Sequence, residues 1–334
     1  MLYSKYEDFL TYLRDKKILI TSHFHTDIDG FVSCFILKFF LHEKFNNSVS
    51  IFFSELSKPT KNFMNKFLIK FPEFKFDYET EVNLANYDVC LIIDTNDLSQ
   101  IHFNSSISSR LEIPYILIDH HHYGKTELEN DNISSLNLIS DDISSSAEII
   151  LELIESQNQG LPTEYRYLMA AAILVDSGFF KYGNNSTIRK FSRLLDEKVN
   201  YQHLLNMLQN ETDISEKIAK IKGLQRVELI RKGDYLIGVS KVSSFGASVA
   251  SMLIKNGFDV GIVYSEEKNR KNINSRAKKS VCLNTGLHLG KILEELTQYA
   301  DGSGGGHDGA ASITFNAELK QVLSEFIEKI KHFL

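Results

Sequence analysis

The sequence predicts an α/β protein of two domains, the first built on a parallel sheet covered on both faces. Three observations predict it. Residues 87–93 and 115–118 are near-continuous apolar runs, the pattern of strands buried on both sides. Strand-like and helix-like stretches alternate through the first half, as parallel strands joined by helical crossovers require. At 334 residues the chain can also bury two separate cores, and a second alternating set begins after a polar stretch.

In chain order, 17–21 reads as a short apolar strand and 30–41 as an apolar run of helical length. Residues 49–53 read as a strand and 58–70 as an amphipathic helix. The two buried strands follow, then helices over 146–156 and 162–175, the second opening on Pro162. From Asp196 to about Lys222 the chain is polar and helical, without strand signal. A second set then runs as strand 235–242, helix 246–255, strands 260–264 and 273–276, and a last strand near 312–315. The expected organisation is a first domain over 1–195, a helical connector over 196–225 and a smaller α/β domain over 226–334.

Composition narrows the function classes. A hydrophobic share of 43% and a charged share of 24% are those of an ordinary globular protein. With 23 Phe and no Trp, Phe fills the large core positions. A net charge of -6 argues against a general nucleic-acid coat protein. It admits an anionic substrate where positive charge is concentrated locally or supplied by metal. Cys34, Cys90 and Cys282 are scattered without a CxxC pair, which favours a reducing compartment over disulfides or a thiolate site. Glu7 and Asp8 stand in the first ten residues, no signal peptide is expected, and no stretch approaches the roughly 20 apolar residues of a membrane span. A cytoplasmic protein that engages no membrane is expected.

The most informative run is Leu117-Ile118-Asp119-His120-His121-His122, an apolar stretch ending in an acid and three imidazoles. Asp and His together suit a borderline divalent metal. Three other apolar stretches also end in acids. The first leads into His23-Phe24-His25-Thr26-Asp27-Ile28-Asp29-Gly30, the third strand ends in Asp94 with Asp97 behind it, and Asp176 closes a helix-like run. Ligand sites of parallel α/β sheets gather outside the carboxyl ends of strands, where most of these acids fall. Each acid alone has an ordinary explanation as a helix cap or turn former. Four such caps, two of them with His, point instead to one site. Two divalent ions about 3.5–4 Å apart can clamp the attacking and leaving oxygens of a phosphoester. His23, Asp27, Asp29, Asp94, His120 and Asp176 supply the ligands that this needs.

The set His23-x-x-x-Asp27-x-Asp29, Asp94, Asp119-His120-His121 and Asp176 resembles the DHH phosphoesterase superfamily. Gly304-Gly305-Gly306-His307-Asp308-Gly309-Ala310-Ala311 looks like the glycine signature of its DHHA1 domain. The resemblance covers both expected domains and implies a parallel-sheet DHH domain followed by a mixed-sheet DHHA1 domain. It implies a two-manganese site, with cobalt or magnesium as substitutes. His23, Asp27 and Asp94 would hold one ion, and Asp29, Asp94, His120 and Asp176 the other, with Asp94 shared and a bridging hydroxide as nucleophile. Asp119 would orient an imidazole, and His121 would meet the substrate phosphate. His25 and His122 are additional imidazoles whose roles stay open, and Ser312 stands where the family usually has Gly.

Lys268 to Lys279 holds six cations in twelve residues, which read mostly as a solvated basic loop. Arg276 differs, because it matches the family position that grips a substrate phosphate, and its planar fork can do so bidentately. Gly304, Gly305, Gly306 and His307 are expected to form a substrate loop whose amides approach an anion. Ser144-Ser145-Ser146, ahead of Ala147-Glu148, also resembles a family segment; it reads first as a cap for the next helix and only second as a substrate contact. Metal on one domain and a phosphate grip on the other would form a closing cleft that measures length. The aromatics are dispersed through apolar runs and read as core rather than as a stacking platform.

The leading expectation is a manganese-dependent phosphodiesterase on short oligonucleotides or on cyclic or linear dinucleotides. A phosphatase activity on 3′-phosphoadenosine 5′-phosphate could accompany it. The alternatives are a single-strand-specific RecJ-like exonuclease on longer DNA or RNA, and a non-catalytic scaffold of a replication or RNA-processing complex. The choice between monomer and homodimer stays open.

Overall fold

The computed structural model describes residues 3–103, 106–107, 111–121, 133–209, 213–267 and 270–334. His122 and Lys268 lie outside the described residues. The chain divides into two compact units, residues 1–210 and 211–334.

The first unit runs α1 (Tyr3–Leu13), β1 (Lys17–Ser22), α2 (Ile28–Phe45), β2 (Ser48–Phe52), α3 (Lys58–Lys70) and β3 (Val89–Ile93). A short ladder of β4 (His102–Phe103) and β5 (Ser106–Ile107) precedes β6 (Tyr115–Asp119) and β7 (Leu138–Ile139). Helices α4 (Ser146–Ser156), α5 (Thr163–Asp176), α6 (Asn185–Leu194) and α7 (Tyr201–Leu208) complete it. One sheet takes the order β2-β1-β3-β6-β7 with every pair parallel. Alternation along β3 sends Val89, Leu91 and Ile93 into the main core and Cys90 and Ile92 into a smaller one behind the sheet. The helices pack on the main core. The opposite face is covered by Val82, Ile101 and Leu111 from irregular segments and by Phe103 of the short β4, rather than by long helices. Phe fills the large positions as expected, with Phe31 and Phe76 rings 5.0 Å apart in a wider aromatic cluster.

The second unit runs α8 (Ile214–Gln225), β8 (Glu228–Lys232), β9 (Tyr235–Lys241), α9 (Gly246–Lys255), β10 (Val260–Glu267) and β11 (Arg270–Ala277). It continues with α10 (Lys279–Thr285), α11 (Leu289–Ala300), β12 (Gly302–Gly306), β13 (Ala310–Phe315) and α12 (Leu319–Phe333). Its sheet is mixed, in the order β12-β13-β11-β10-β9-β8, with β9 and β10 parallel and the other pairs antiparallel. Ile237, Ile262 and Ile273 pack with α11 and α12 on one face, and Val263 packs with α8 and α9 on the other.

Two local expectations are corrected. The glycine run over 302–306 is the edge strand β12, not a loop. Its composition answers to close packing: a Cβ on Gly302, Gly304 or Gly306 would meet a backbone oxygen of Thr314, Ser312 or Ala310 at 2.3–2.5 Å, and Gly306 itself has a φ of 147°. The basic stretch is not simply solvated either. Lys271 donates to the carbonyls of Asn316 and Ala317 at 3.1 and 2.8 Å, and Lys278 pairs with Asp259 at 2.8 Å.

Candidate metal centre

The adjacent strands β1, β3 and β6 all end at one edge of the first sheet, so the residues that follow them converge. His23 comes directly after β1. Its Nδ1 lies 2.8 Å from the Phe24 carbonyl oxygen, which can only accept. Nδ1 therefore carries a proton, and Nε2 is the atom free to exchange a proton for a cation. That Nε2 is 3.7 Å from Asp94 and 3.9 Å from Asp27. Asp27 caps α2, its Oδ1 accepting from the amides of Asp29 and Gly30 at 3.0 and 3.2 Å. The ordinary reading of Asp27 as a helix cap is thus true as well, because the cap aims the carboxylate.

Asp29 is held from across the chain. The amides of Ser146 and Ala147, at the start of α4, donate to its two oxygens at 2.6 and 3.0 Å. The helix N-terminus favours this buried negative charge. Ser146 Oγ also donates to Asp94 at 3.3 Å. Asp94 directly follows β3 with a φ of 65°, a left-handed conformation that a non-glycine residue keeps only where its surroundings enforce it. Here its amide is fixed by the Ile118 carbonyl at 2.9 Å. Gly30 has no room for a side chain, since a Cβ would meet Ser22 Oγ at 2.3 Å and Asp94 Oδ2 at 3.3 Å.

His120, beyond β6, places Nε2 2.9 Å from Asp176, the last residue of α5, and 3.4 Å from Asp94. It is aligned to neither, and Nε2 stays a buried polar atom without a hydrogen-bond partner. Such atoms are rare unless something else meets them. The buried Asp119 accepts from His121 Nδ1 at 2.8 Å, leaving the other face of that more exposed ring outward. Three donor groups result, each with ligand atoms within 4.8 Å of one another: His23, Asp27 and Asp94; Asp29, His120 and Asp176; and Asp94, Asp119, His120 and His121. Donors around one ion at about 2.1 Å lie at most about 4 Å apart, so a small inward adjustment of side chains suffices. The donor set and the orphaned Nε2 both fit a divalent cation.

Electrostatics point the same way. Burial would lower the pKa of His23, but Asp27 and Asp94 outweigh it and raise the imidazole to about 10. At His120 burial is likewise outweighed by Asp176 and Asp94, which raise it to about 11. Burial opposes ionisation of Asp94 too, yet the two imidazoles hold it well below the usual carboxylate range. Burial raises Asp29, with Asp94 and Asp176 adding to the effect, and burial also raises Asp176. Without metal, protons on the imidazoles balance a surplus of carboxylates; cations would replace them.

His25 is exposed and lies 3.3 Å from Glu55, outside all three donor groups. Asp97 caps a short turn by accepting from the Ser99 amide at 2.9 Å. In the second unit Arg276 is half-buried and donates to the Ser275 carbonyl at 3.2 Å. Register places Arg276 opposite Ala310 and Gly306 opposite Ala311, so Arg276, Gly304, Gly305, Gly306 and His307 share one end of that sheet. Three contributors escape the sequence reading. Gly30 reads there only as the start of a helix. Ser146 and Ala147 read as part of a cap for their own helix. Ser145 supplies that cap by accepting from the Glu148 amide at 3.3 Å, while the amides of 146 and 147 serve Asp29. Phe179 and Tyr182, which read as core, are 53% and 70% exposed.

The fold and site define a class: an α/β protein whose parallel sheet gathers carboxylates and imidazoles for divalent metal at its carboxyl edge. Residues 17–173 match the DHH family, N-terminal domain, and residues 244–334 match the DHHA1 domain. An uncharacterized protein of Methanocaldococcus jannaschii is 30% identical over 308 residues, 92% of this chain and 89% of its own. The crystal structure of an exopolyphosphatase-related protein from Bacteroides fragilis is similar at a TM-score of 0.65 and 16% identity, over 99% of this chain and 96% of that one. At that identity the likeness is one of fold. RecJ from Thermus thermophilus, in complex with Mn2+, aligns at a TM-score of 0.49 and 16% identity over 99% of this chain and 54% of its own. The chain belongs to the DHH family, with a DHHA1 domain, and is a metal-dependent phosphoesterase. No helix among the described residues is long and apolar enough to cross a membrane.

Proposed function

We propose that this chain is a manganese-dependent phosphodiesterase that hydrolyses short oligonucleotides or linear or cyclic dinucleotides. Removal of a phosphate from 3′-phosphoadenosine 5′-phosphate is a second activity of the same centre. The observation that carries this reading is the convergence on Asp94, which belongs to two of the three donor groups and approaches both His23 and His120. His23, Asp27 and Asp94 hold one ion; Asp29, Asp94, His120 and Asp176 hold the second. The mixture of imidazole and carboxylate suits manganese, with cobalt and magnesium as substitutes. When bound, two such ions supply an activated water and a clamp on the phosphoryl oxygens.

The chain's own groups do the rest. Ser146 and Ala147 fix Asp29, and Asp119 fixes the His121 ring. The hydrogen bond that His121 donates to Asp119 raises the pKa of the imidazole, so it can present a proton to a phosphate oxygen. Arg276 offers a guanidinium fork with no carboxylate partner among the described residues, and Gly304, Gly305, Gly306 and His307 stand beside it as substrate contacts.

The test is product analysis with manganese on a two-nucleotide RNA, a twenty-four-nucleotide RNA, its DNA counterpart, cyclic di-AMP and the bisphosphate. Fast cleavage of the two-nucleotide RNA with slow cleavage of the long strands is expected. Preferential digestion of the long strands would replace this reading with an exonuclease.

A further inference from the structure

We infer that the chain pairs with a second copy of itself through edge strand β8 and the apolar outer side of α8, joining the two mixed sheets across a two-fold axis. This goes beyond the metal centre and does not depend on it.

Strand β8 closes one end of the second sheet, with β9 on one side and no strand on the other among the described residues. An open edge is a row of backbone donors and acceptors that a fold normally blocks with charge, proline or a bulge. Glu228-Leu229-Ile230-Arg231-Lys232 has no proline, and its ladder runs unbroken from Glu228 opposite Val239 to Lys232 opposite Tyr235, so it has no bulge. Its charges would repel most strands, but their order suits this one. Laid antiparallel against itself about Ile230, the strand sets Glu228 opposite Lys232 of the second copy, and symmetry repeats the pair at the other end. Opposite charges directly across a ladder stabilise it, and such reciprocal exchange about a dyad defines an isologous interface. Neither Glu228 nor Lys232 has an ion-pair partner among the described residues.

A five-residue strand is too small for a stable interface, which buries about 1,200–2,000 Å² in total. Helix α8 supplies the rest. It lies over β9, where Ser240 Oγ donates to the Gly223 carbonyl at 2.7 Å. Its inner side packs on α9, and Gly223 has no room for a side chain beside Val249. Helix α9 in turn lies over β10, where Gly261 approaches the Ala250 carbonyl. Of the two helices on this face, α8 is therefore the one nearer the β8 edge. On the side of α8 away from Ala219 and Gly223, residues Ile214, Ile218, Ile221 and Leu224 recur at helical spacing and are 39–67% exposed. Leu229 of β8 is 60% exposed. Single exposed apolar residues are ordinary, but a stripe of them beside an open edge is a patch. A dyad perpendicular to the sheet sets both α8 helices on the same face, stripe toward stripe. One symmetry operation thus pairs the edge, matches the charges and covers the stripe.

The test is sedimentation velocity on the full chain from about 1 to 100 µM, the range in which a standard-size interface of modest affinity assembles. Wild type should sediment as a dimer at the upper end. Lys232→Glu sets like charges opposite one another at both ends of the strand pair and should raise the dimer dissociation constant about tenfold. Glu228→Lys should do the same. The double reversal Glu228→Lys/Lys232→Glu should restore the wild-type constant, since it rebuilds both pairs. Ile221→Glu should weaken the dimer through the helix. A wild-type chain that stays monomeric at the top concentration would overturn the inference and leave the edge to a different protein. A dimer indifferent to all of these variants would place the interface elsewhere. Single losses that the double reversal fails to restore would refute the antiparallel pairing.

Discussion

Asp94→Asn is the sharpest perturbation of the centre. The change keeps the shape of the side chain, and Asn tolerates the left-handed backbone that Asp94 adopts, so the fold should survive. What it removes is the charge that lies 3.7 Å from His23 and 3.4 Å from His120. Partners that merely orient metal ligands are worth 10–100-fold in affinity, and a ligand shared by two ions should reach at least about 100-fold. With manganese at a hundredfold over the wild-type Kd, binding stabilises by about 2.7 kcal/mol, and a hundredfold loss leaves about 0.4 kcal/mol. For a unit of about 200 residues, 1 kcal/mol moves Tm by about 2–4 °C. Differential scanning fluorimetry should therefore show manganese raising wild-type Tm by about 5–11 °C and the variant by less than about 2 °C. A full metal-induced rise in Asp94→Asn would refute the shared-ligand argument.

Metal loading near pH 8 should release roughly two protons, because His23 and His120 still carry theirs there, and titration calorimetry in buffers of different ionisation enthalpy would count them. Metal affinity should accordingly rise with pH. The metal-free fold should behave oppositely: raised imidazole pKa values stabilise it fully below about 6.5, and that contribution is lost as pH rises through about 10 and 11. Gly30→Ala should weaken manganese binding despite the better helix propensity of Ala, since the added methyl meets Ser22 and Asp94; overpacking of this kind costs about 1–3 kcal/mol. Lys190→Met strands Glu148 and Glu152, its partners at 2.8 and 2.7 Å, and should lower stability by about 3–5 kcal/mol in urea unfolding.

What can be read from sequence is what is local. Helices α3 and α4 have the ends that periodicity predicts, because Ser57 and Ser145 cap them where the apolar pattern begins. The buried strands β3 and β6 are legible because both faces are apolar. Edge strand β8 is not, since its residues are almost all exposed and leave no alternation to read. Helices α11 and α12 carry buried stripes such as Leu289, Ile292, Leu293 and Leu296, which a search at helical spacing could have found. The glycine strand reads as a loop because glycine marks both open loops and close packing, and only the neighbours β13 and α11 distinguish them.

The same division holds at the candidate site. Acids and imidazoles at the tips of apolar runs announce themselves. The bond from Ser146 to Asp29 spans 117 positions, and no local pattern encodes it. Exposure of Phe179 and Tyr182 depends on which way a strained turn points, which composition does not reveal.

The most direct test of the central claim is the number of ions held by the chain, read by native mass spectrometry after loading with manganese. The account predicts two ions on the wild-type chain and a clear loss of occupancy in Asp94→Asn. A single ion, or two that persist undiminished in that variant, would contradict a centre built around one shared carboxylate.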